Sequence, residues 1–357
     1  MGKRIYVAHG AKSNSGDFLI FNRGWDLLKR VLGTNKIELV PVKRWEPITG
    51  DCDVLIILGG PIITRKMHPQ SVHIKKYLEK NNVPVICLGV GISGKDYSAS
   101  EPYFTDQESV DFWTSIYNST KLFSVRDIDT LDVLNYYNIP ATLTGCPALF
   151  DCDIISHKDT LLNNIFLNES NYLTVSIPNN TKMFFSLGAI RTLFFLYYLN
   201  KKISRLDVLL KKQVVFQHGY QSSGNIPIAQ FARLMGYSVI DGSGRGINEI
   251  SEIRDSGFHI GTRLHMNLFF LSQCKVSYLL GVDNRTAAFL KTIPTPSENF
   301  SIRGIKHLVD EFSNDLINCA FKLKFSFVKS QILELYSKMM DYLIQVKKFI
   351  IAEDSII

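Results

Sequence analysis

Residues 53–60 read DVLIILGG and residues 84–94 read PVICLGVGISG, two unbroken apolar runs that each close on glycines. A strand with one face in water alternates apolar and polar side chains. A run that is apolar at every position is buried on both faces, as in a parallel sheet covered by helices. Working outward, IYVAH at 5–9 and KLFSVRD at 121–127 repeat the design, and the periodic stretch from Phe18 to Val31 reads as a helix following the first of them. A second series follows the Asn-rich segment LLNNIFLNESN, which marks a domain edge near residue 165. It comprises YLTVSI, QVVFQHG, YSVIDG, FHIGTR and VSYLLGVD, separated by helical stretches such as IPIAQFARLMG and LHMNLFFLSQ. Two consecutive parallel α/β units predict two lobes, 1–165 and 166–304, facing each other across a cleft, with a mainly helical tail over 305–357.

A length of 357 residues suits two domains, and 46% hydrophobic with 20% charged residues excludes a disordered or coiled-coil chain. Lys and Arg number 40 against 33 Asp and Glu, a formal charge of +7 that favours anionic small ligands. No Lys/Arg tract and no nucleic-acid-binding signature is present, so no nucleic-acid partner is expected. The six cysteines form neither a CxxC pair nor a zinc framework, which points to a reducing compartment and no metal. The start, MGKRIYVAHG, lacks the apolar core of a signal peptide. The stretch MFFSLGAIRTLFFLYYL at 183–199 carries Arg191 at its centre and is expected to be a buried or interfacial helix rather than a membrane span.

In parallel sheets ligands collect beyond the carboxyl ends of the strands, so the residues just after each run are the candidates. GTRLH at 261–265 is the most informative. Arg263 offers a rigid fork for phosphate or carboxylate and His265 can carry a proton; the competing reading is a structural ion pair and a packing histidine. SNSGD at 13–17 joins a strand to a helix, with Asp17 as a base or as an ordinary N-cap. Gly60 and Gly91 permit close approach of backbone to ligand. Arg126 and Asp127 either grip a ligand or pair with each other while Asp127 caps the next helix. His9, His218, Asp283 and Arg285 stand at further strand ends, whereas His68, His73, His157 and His307 read as surface or packing residues.

Taken in order, Asn14, Gly16 and Asp17 of an N-x-G-D element, GGP at 59–61, GVGISG at 89–94, SVRD at 124–127, TGCPALF at 144–150, GTRLH and GVDNRT at 281–286 resemble the polysaccharide pyruvyl transferases. The resemblance covers the chain to about residue 296. It implies two Rossmann-like lobes in a GT-B-like arrangement, and a transferase that takes phosphoenolpyruvate as co-substrate, needs no cofactor, and installs a pyruvate ketal on a sugar of a surface polysaccharide or its lipid-linked precursor. It further implies that Arg263, with Arg285, His218 and Gly261, forms the donor side. His265 would serve as general acid or phosphate ligand. Asp17, with His9, Asn14 and Gly16, would face the acceptor, and Gly60, Gly91, Arg126 and Asp127 would line the first-lobe side of the cleft. The general base stays open between Asp17, Asp283 and His218.

The chain departs from the family pattern at Met266, where a glycine is usual, and at Ala287 and Ala288, where an acidic residue is usual. A glycosyltransferase using a nucleotide sugar in the same cleft, or a non-catalytic scaffold, are the alternatives. A lipid-linked acceptor implies a cytoplasmic protein working at the inner membrane face, with basic-apolar segments at 201–212 and in the tail as candidates for peripheral contact.

Overall fold

In the computed structural model, residues 2–93, 101–155, 172–179, 186–206 and 210–352 are described. The boundary expected near residue 165, the Asn-rich segment, His157, Gly94 and parts of 183–199 and 201–212 lie outside them.

Lobe 1 is a parallel sheet of seven strands: β1 (Lys3–His9), β2 (Ile37–Lys43), β3 (Val54–Leu58), β4 (Pro61–Ile63), β5 (Val85–Ile92), β6 (Phe123–Val125) and β7 (Thr142–Leu143). Their order is β2-β1-β3-β5-β6-β7, with β4 pairing β5 off this path. Every residue of β3 and β5 is buried, which is what their unbroken apolar reading requires. The helices are α1 (Ser15–Leu32), α2 (Pro69–Leu78), α3 (Gln107–Thr120), α4 (Ile128–Tyr136) and α5 (Cys152–Ile155), with a short 3-10 turn at Pro147–Leu149.

Lobe 2 is a six-stranded parallel sheet of β8 (Tyr172–Ser176), β9 (Lys211–Phe216), β10 (Ser238–Asp241), β11 (Phe258–Gly261), β12 (Val276–Gly281) and β13 (Ser297–Asn299), in the order β10-β9-β8-β11-β12-β13. Counted from its first strand this is 3-2-1-4-5-6, the dinucleotide-fold order. Lobe 1 follows the flavodoxin-like order beginning 2-1-3. The order therefore reverses between β1 and β3 in lobe 1, and between β8 and β11 in lobe 2. The helices here are α6 (Leu187–Ile203), α7 (Asn225–Leu234), α8 (Ser251–Arg254), α9 (Leu264–Ser272) and α10 (Asn284–Thr292).

One apolar core runs through both lobes. Ile5, Val7, Ile56 and Leu88 of the first sheet are continuous with Leu173, Val175, Ile260 and Phe269 of the second, through Leu19, Leu27 and Leu28 of α1 and through Phe150. The far face of the first sheet packs separately, under Phe112 and Trp113 of α3. After β13 the tail forms α11 (Ile302–Asn318) and α12 (Phe321–Ala352). Phe321 and Phe325 of α12 meet Tyr278 of lobe 2. Further along, Tyr342 Oη donates to the Cys87 carbonyl of β5 at 2.7 Å. A helix of 32 residues spans about 48 Å, enough to leave one lobe and return to the other.

Candidate functional site

The lobes meet where α1 begins. Asn14 is the N-cap of α1, its Oδ1 accepting from the Gly16 amide at 2.9 Å. Asp17 is therefore not the cap; it sits in the first helical turn with its carboxyl free for other partners. Gly16 faces His265 of α9, and a Cβ built there would lie 2.5 Å from His265 Nδ1. The N-x-G-D element thus has three separable jobs: Asn14 starts the helix, Gly16 admits a histidine from the other lobe, and Asp17 enters the cleft. Two backbone hydrogen bonds clamp the same junction, Ser15 N to Gln217 O at 3.2 Å and Gly244 N to Ser13 O at 2.9 Å.

On the lobe 1 side two arginines lie under the cleft. Arg126 follows β6; its Nε donates to Asp127 Oδ2 at 2.8 Å and Nη2 to the Ile92 carbonyl at 2.9 Å. Asp127 caps α4 through the Thr130 amide at 2.9 Å, so the pairing and capping reading of SVRD holds. Yet Arg126 Nη1 is buried with no partner among the described residues, which leaves one donor for a ligand. Gly91 makes room for this guanidinium, since a Cβ there would stand 2.1 Å from Arg126 Nε.

Arg44, just past β2, is the second, and sequence reading missed it. It is 3% exposed, Nη1 donates to the Gly59 carbonyl at 2.8 Å, and it lies beneath Gly10 and Gly60. Its Nε has no partner among the described residues. Burial lowers it to about 10, with the Asp17 charge acting the other way, so it stays cationic at neutral pH. His9 is pushed down to about 4 by burial and by Arg44 and Lys43. It stacks on Phe21 at 4.1 Å with Trp45 edge-on at 5.8 Å.

On the lobe 2 side Arg263 follows β11 at the switch between β8 and β11. Its amide donates to Ser176 Oγ at 3.1 Å and its Nε to the Ile177 carbonyl at 2.7 Å. Beneath it His259, also unrecognised in the sequence, sits between Ser176 Oγ at 2.9 Å and Ser277 Oγ at 2.7 Å. Burial holds His259 near 3, so it is a neutral brace for the strands that carry Arg263. Gly261 is in tight contact with Ser176 of the paired strand. Asp283 caps α10 through Thr286 and accepts from Arg285 Nε at 3.0 Å. Burial pushes its carboxyl up, but Arg285 and the Thr286 donors outweigh that and hold it below its ordinary value. His218, just past β9, is lowered from its ordinary value by burial and then by Arg263 and Arg285.

The charges converge on two groups. Burial raises Asp17 to about 6 against the pull of Arg44, Arg285 and Arg126, cations from both lobes. His265, 7% exposed and with Nε2 unpartnered among the described residues, is lowered to about 3, first by burial and then by Arg126 and Arg285. The cleft therefore holds four guanidiniums around a neutral imidazole and an easily protonated carboxyl, a site built to receive an anion. Among the described residues no group of three or more His, Cys, Asp or Glu is arranged to hold a metal.

The departures from the family pattern also find places. Met266 is fully buried in the shared core, so its bulk is absorbed by packing. Ala287 borders a groove with Asp283 and Thr286, into which Glu298 of β13 brings a carboxylate from another element. His68 caps α2, half-buried and lowered by burial and by the Arg44 charge, whereas the exposed His307 pairs with Glu298.

The model of the family described as polysaccharide pyruvyl transferase matches residues 14–284, which include every cleft residue named above except His9, Gly10 and Arg285. No curated protein matches the sequence. Among solved structures, the chain is similar to the UDP-GlcNAc 2-epimerase from Neisseria meningitidis bound to UDP-GlcNAc, with TM-score 0.60 and 9% identity over 95% of this chain and 99% of that one. It is also similar to MnaA of S. aureus in its co-structure with UDP, with TM-score 0.56 and 10% identity over 92% and 91%. At these identities the likeness establishes the fold, a GT-B-like pair of Rossmann-like lobes.

Proposed function

The chain belongs to the polysaccharide pyruvyl transferase family, a transferase using phosphoenolpyruvate on a polysaccharide or lipid-linked sugar, and from that premise we propose how its cleft divides the work. Lobe 2 takes the donor. Arg263 and Arg285 hold its phosphate and carboxylate, with His218 and Gly261 shaping that wall. Lobe 1 presents the sugar to Asp17, and the acceptor enters past His9, Asn14 and Gly60. Arg126, braced by Asp127 and seated against Gly91, points its unpartnered Nη1 toward the anion from the opposite side.

The reaction balances without a cofactor. Phosphoenolpyruvate and a sugar diol give a ketal and inorganic phosphate: one hydroxyl proton ends on C3 of the enol and the other leaves with phosphate. Protonating C3 makes C2 an oxocarbenium-like centre. One hydroxyl attacks it, phosphate departs, and the second hydroxyl closes the ring. Such a path requires an acid, a base and cations for the departing phosphate. Asp17 is the base, because its carboxyl is the more basic one, while that of Asp283 is tied to Arg285 and Thr286. His265 is unprotonated in the empty cleft; a bound dianion beside Nε2 restores the missing negative charge and raises its proton affinity, so it becomes an acid when the donor is present.

The observation that supports this reading most is the convergence of Arg44, Arg126 and Arg285, from two lobes, on the Asp17 carboxyl, with Arg126 and Arg285 acting on His265 as well. The test offers purified protein phosphoenolpyruvate or a panel of nucleotide sugars with glycan-precursor acceptors, and reads acceptor mass and phosphate release. A mass gain equal to a pyruvate ketal is expected, with R263A and H265A each losing about a thousandfold in kcat/KM. A hexose gain from a nucleotide sugar would replace the reading with glycosyl transfer.

A further inference from the structure

The outer surface of lobe 2 carries a second feature, unrelated to the cleft arginines. Helices α6 and α11 lie side by side in constant register. Lys306 sits over the Phe194 ring at 5.9 Å, and Tyr198 Oη donates to Asp310 at 3.0 Å, so each residue of α6 lies level with the residue 112 positions later. That register places Ile190 beside Ile302. Leu187, Ile190, Tyr197 and Ile302 are 61, 52, 48 and 40% exposed. They form an apolar ridge shared by two helices rather than isolated surface residues.

The charges nearest the cleft end of the ridge, Arg191, Arg303 and Lys306, are cationic. Residues 187–202 hold Arg191, Lys201 and Lys202 and no acid; α11 brings Arg303 and Lys306 near its start, and Asp310, Glu311 and Asp315 further along, the last two paired with Lys324. Asp310 is itself neutralised by Lys202 at 2.6 Å. A protein partner with a matching apolar patch needs no such excess of cations, whereas an anionic bilayer surface attracts each Lys or Arg while accepting shallow apolar side chains. Exposed apolar side chains flanked by Arg and Lys are the composition of a helix pair that lies on a bilayer. The ridge is also correctly placed. The N-terminal end of α6, with Leu187 and Ile190, belongs to the connection leaving β8, whose last residues bind Arg263. Ile302 begins α11 directly after β13, at the same carboxyl edge.

We propose that the paired outer faces of α6 and α11 dock the protein on an anionic membrane surface, with the ridge at the cleft end of lobe 2. Docking there sets the cleft mouth beside the bilayer, where an acceptor held on a lipid would be presented. The proposal goes beyond the pyruvyl reaction, and its test reads binding without turnover, so either can fail alone.

The full chain is sedimented with phosphatidylcholine vesicles and with vesicles containing about one-third phosphatidylglycerol, across a salt series. Binding is expected only to the anionic vesicles and is weakened by salt. The triple variant L187Q/I190Q/I302Q and the charge variant R303E/K306E should each lose about tenfold or more in partition with unchanged Tm. L323Q/F327Q, on the exposed apolar positions of α12, should bind as the wild type does. Absence of binding to anionic vesicles overturns the proposal, as does binding that both α6–α11 variants leave intact. A wild-type dimer that the triple variant dissociates, with no vesicle binding, would assign the ridge to contact between copies instead.

Discussion

The two lobes hold their cations in different ways. Arg44 and Arg126 of lobe 1 are 3 and 5% exposed, set into gaps left by glycines and tied to backbone carbonyls. In lobe 2 Arg263 and Arg285 stand less covered at the start of helices; Arg263 is still lowered to about 10 by burial and tied to the Ile177 carbonyl, whereas Arg285 has its side chain 39% exposed at the rim. A guanidinium already removed from water, with an N–H unpaired, is oriented before any ligand arrives. One at the cleft rim keeps solvent until the ligand replaces it. Lobe 1 is thus the fixed electrostatic frame and lobe 2 the side that grips, and Gly16 against His265 is where the two are brought into register.

The strongest way to break this picture is at that contact. G16A puts a methyl group 2.5 Å from His265 Nδ1, and either α1 or the imidazole must shift. We expect kcat/KM to fall about a hundredfold because reacting groups from two lobes no longer align. Circular dichroism should still report a folded chain. Unchanged turnover in G16A would mean that the lobes need no fixed register.

The lobe 1 frame is sharpened by pH. Asp17 must be ionised to act as base, so kcat/KM should rise through an apparent value near 6. R44Q removes a cation that draws this carboxyl down, and the acidic limb should therefore move to higher pH; D17N should abolish it. The sign for stability is the reverse of a salt-bridged aspartate. Asp17 titrates near 6 in the fold against 3.8 ordinarily, so its favourable contribution is complete below about 3.8 and is lost as pH rises through 6. D17N should accordingly raise stability at pH 8 by up to about 3 kcal/mol and leave it nearly unchanged at pH 3, read by denaturant unfolding. An acidic limb that stays in place in R44Q would remove Arg44 from the frame.

The smallest expected effect lies on the flank of the cleft. Lys291 of α10 pairs with Asp129 of α4 at 2.7 Å, and the Ile128 amide donates to Thr292 Oγ1 at 3.1 Å. Lys291 is largely exposed, so K291A should cost about 1 kcal/mol or less and alter KM by about twofold, with kcat preserved. A large loss of kcat would mean that this clasp, rather than the Gly16 contact, sets the arrangement of the lobes.

Much of this was legible in the chain. DVLIILGG and PVICLGVGISG announce buried parallel strands because only a doubly covered strand tolerates apolar residues at every position. Once the strands are placed, His9, Gly60, Arg126, His218, Arg263 and Asp283 follow as residues at their carboxyl ends. Arg44 did not follow. In LVPVKRWEP at 39–47, Lys43 and Arg44 read as a solvated basic pair after a half-exposed edge strand; burial comes from the segments around Gly10 and Gly59–Gly60 that cover Arg44. His259 was likewise hidden, because a histidine inside an apolar strand shows its two serine partners only after β8, β11 and β12 are paired. Asp17 read equally well as an N-cap until Asn14 was seen to occupy that position.

The sequence by itself determined the longer strands, their parallel pairing and the carboxyl-edge residues, since these depend on local periodicity and on which side chains water excludes; the short β4, β7 and β13 carry no such period and appear only in the fold. Tertiary structure alone decided which of those residues meet, that His265 would press on Gly16, and that Asp17 would be raised while His265 was lowered. Those outcomes depend on burial and on charges brought together from positions 17, 44, 126, 263 and 285, and no local reading of the chain contains such distances.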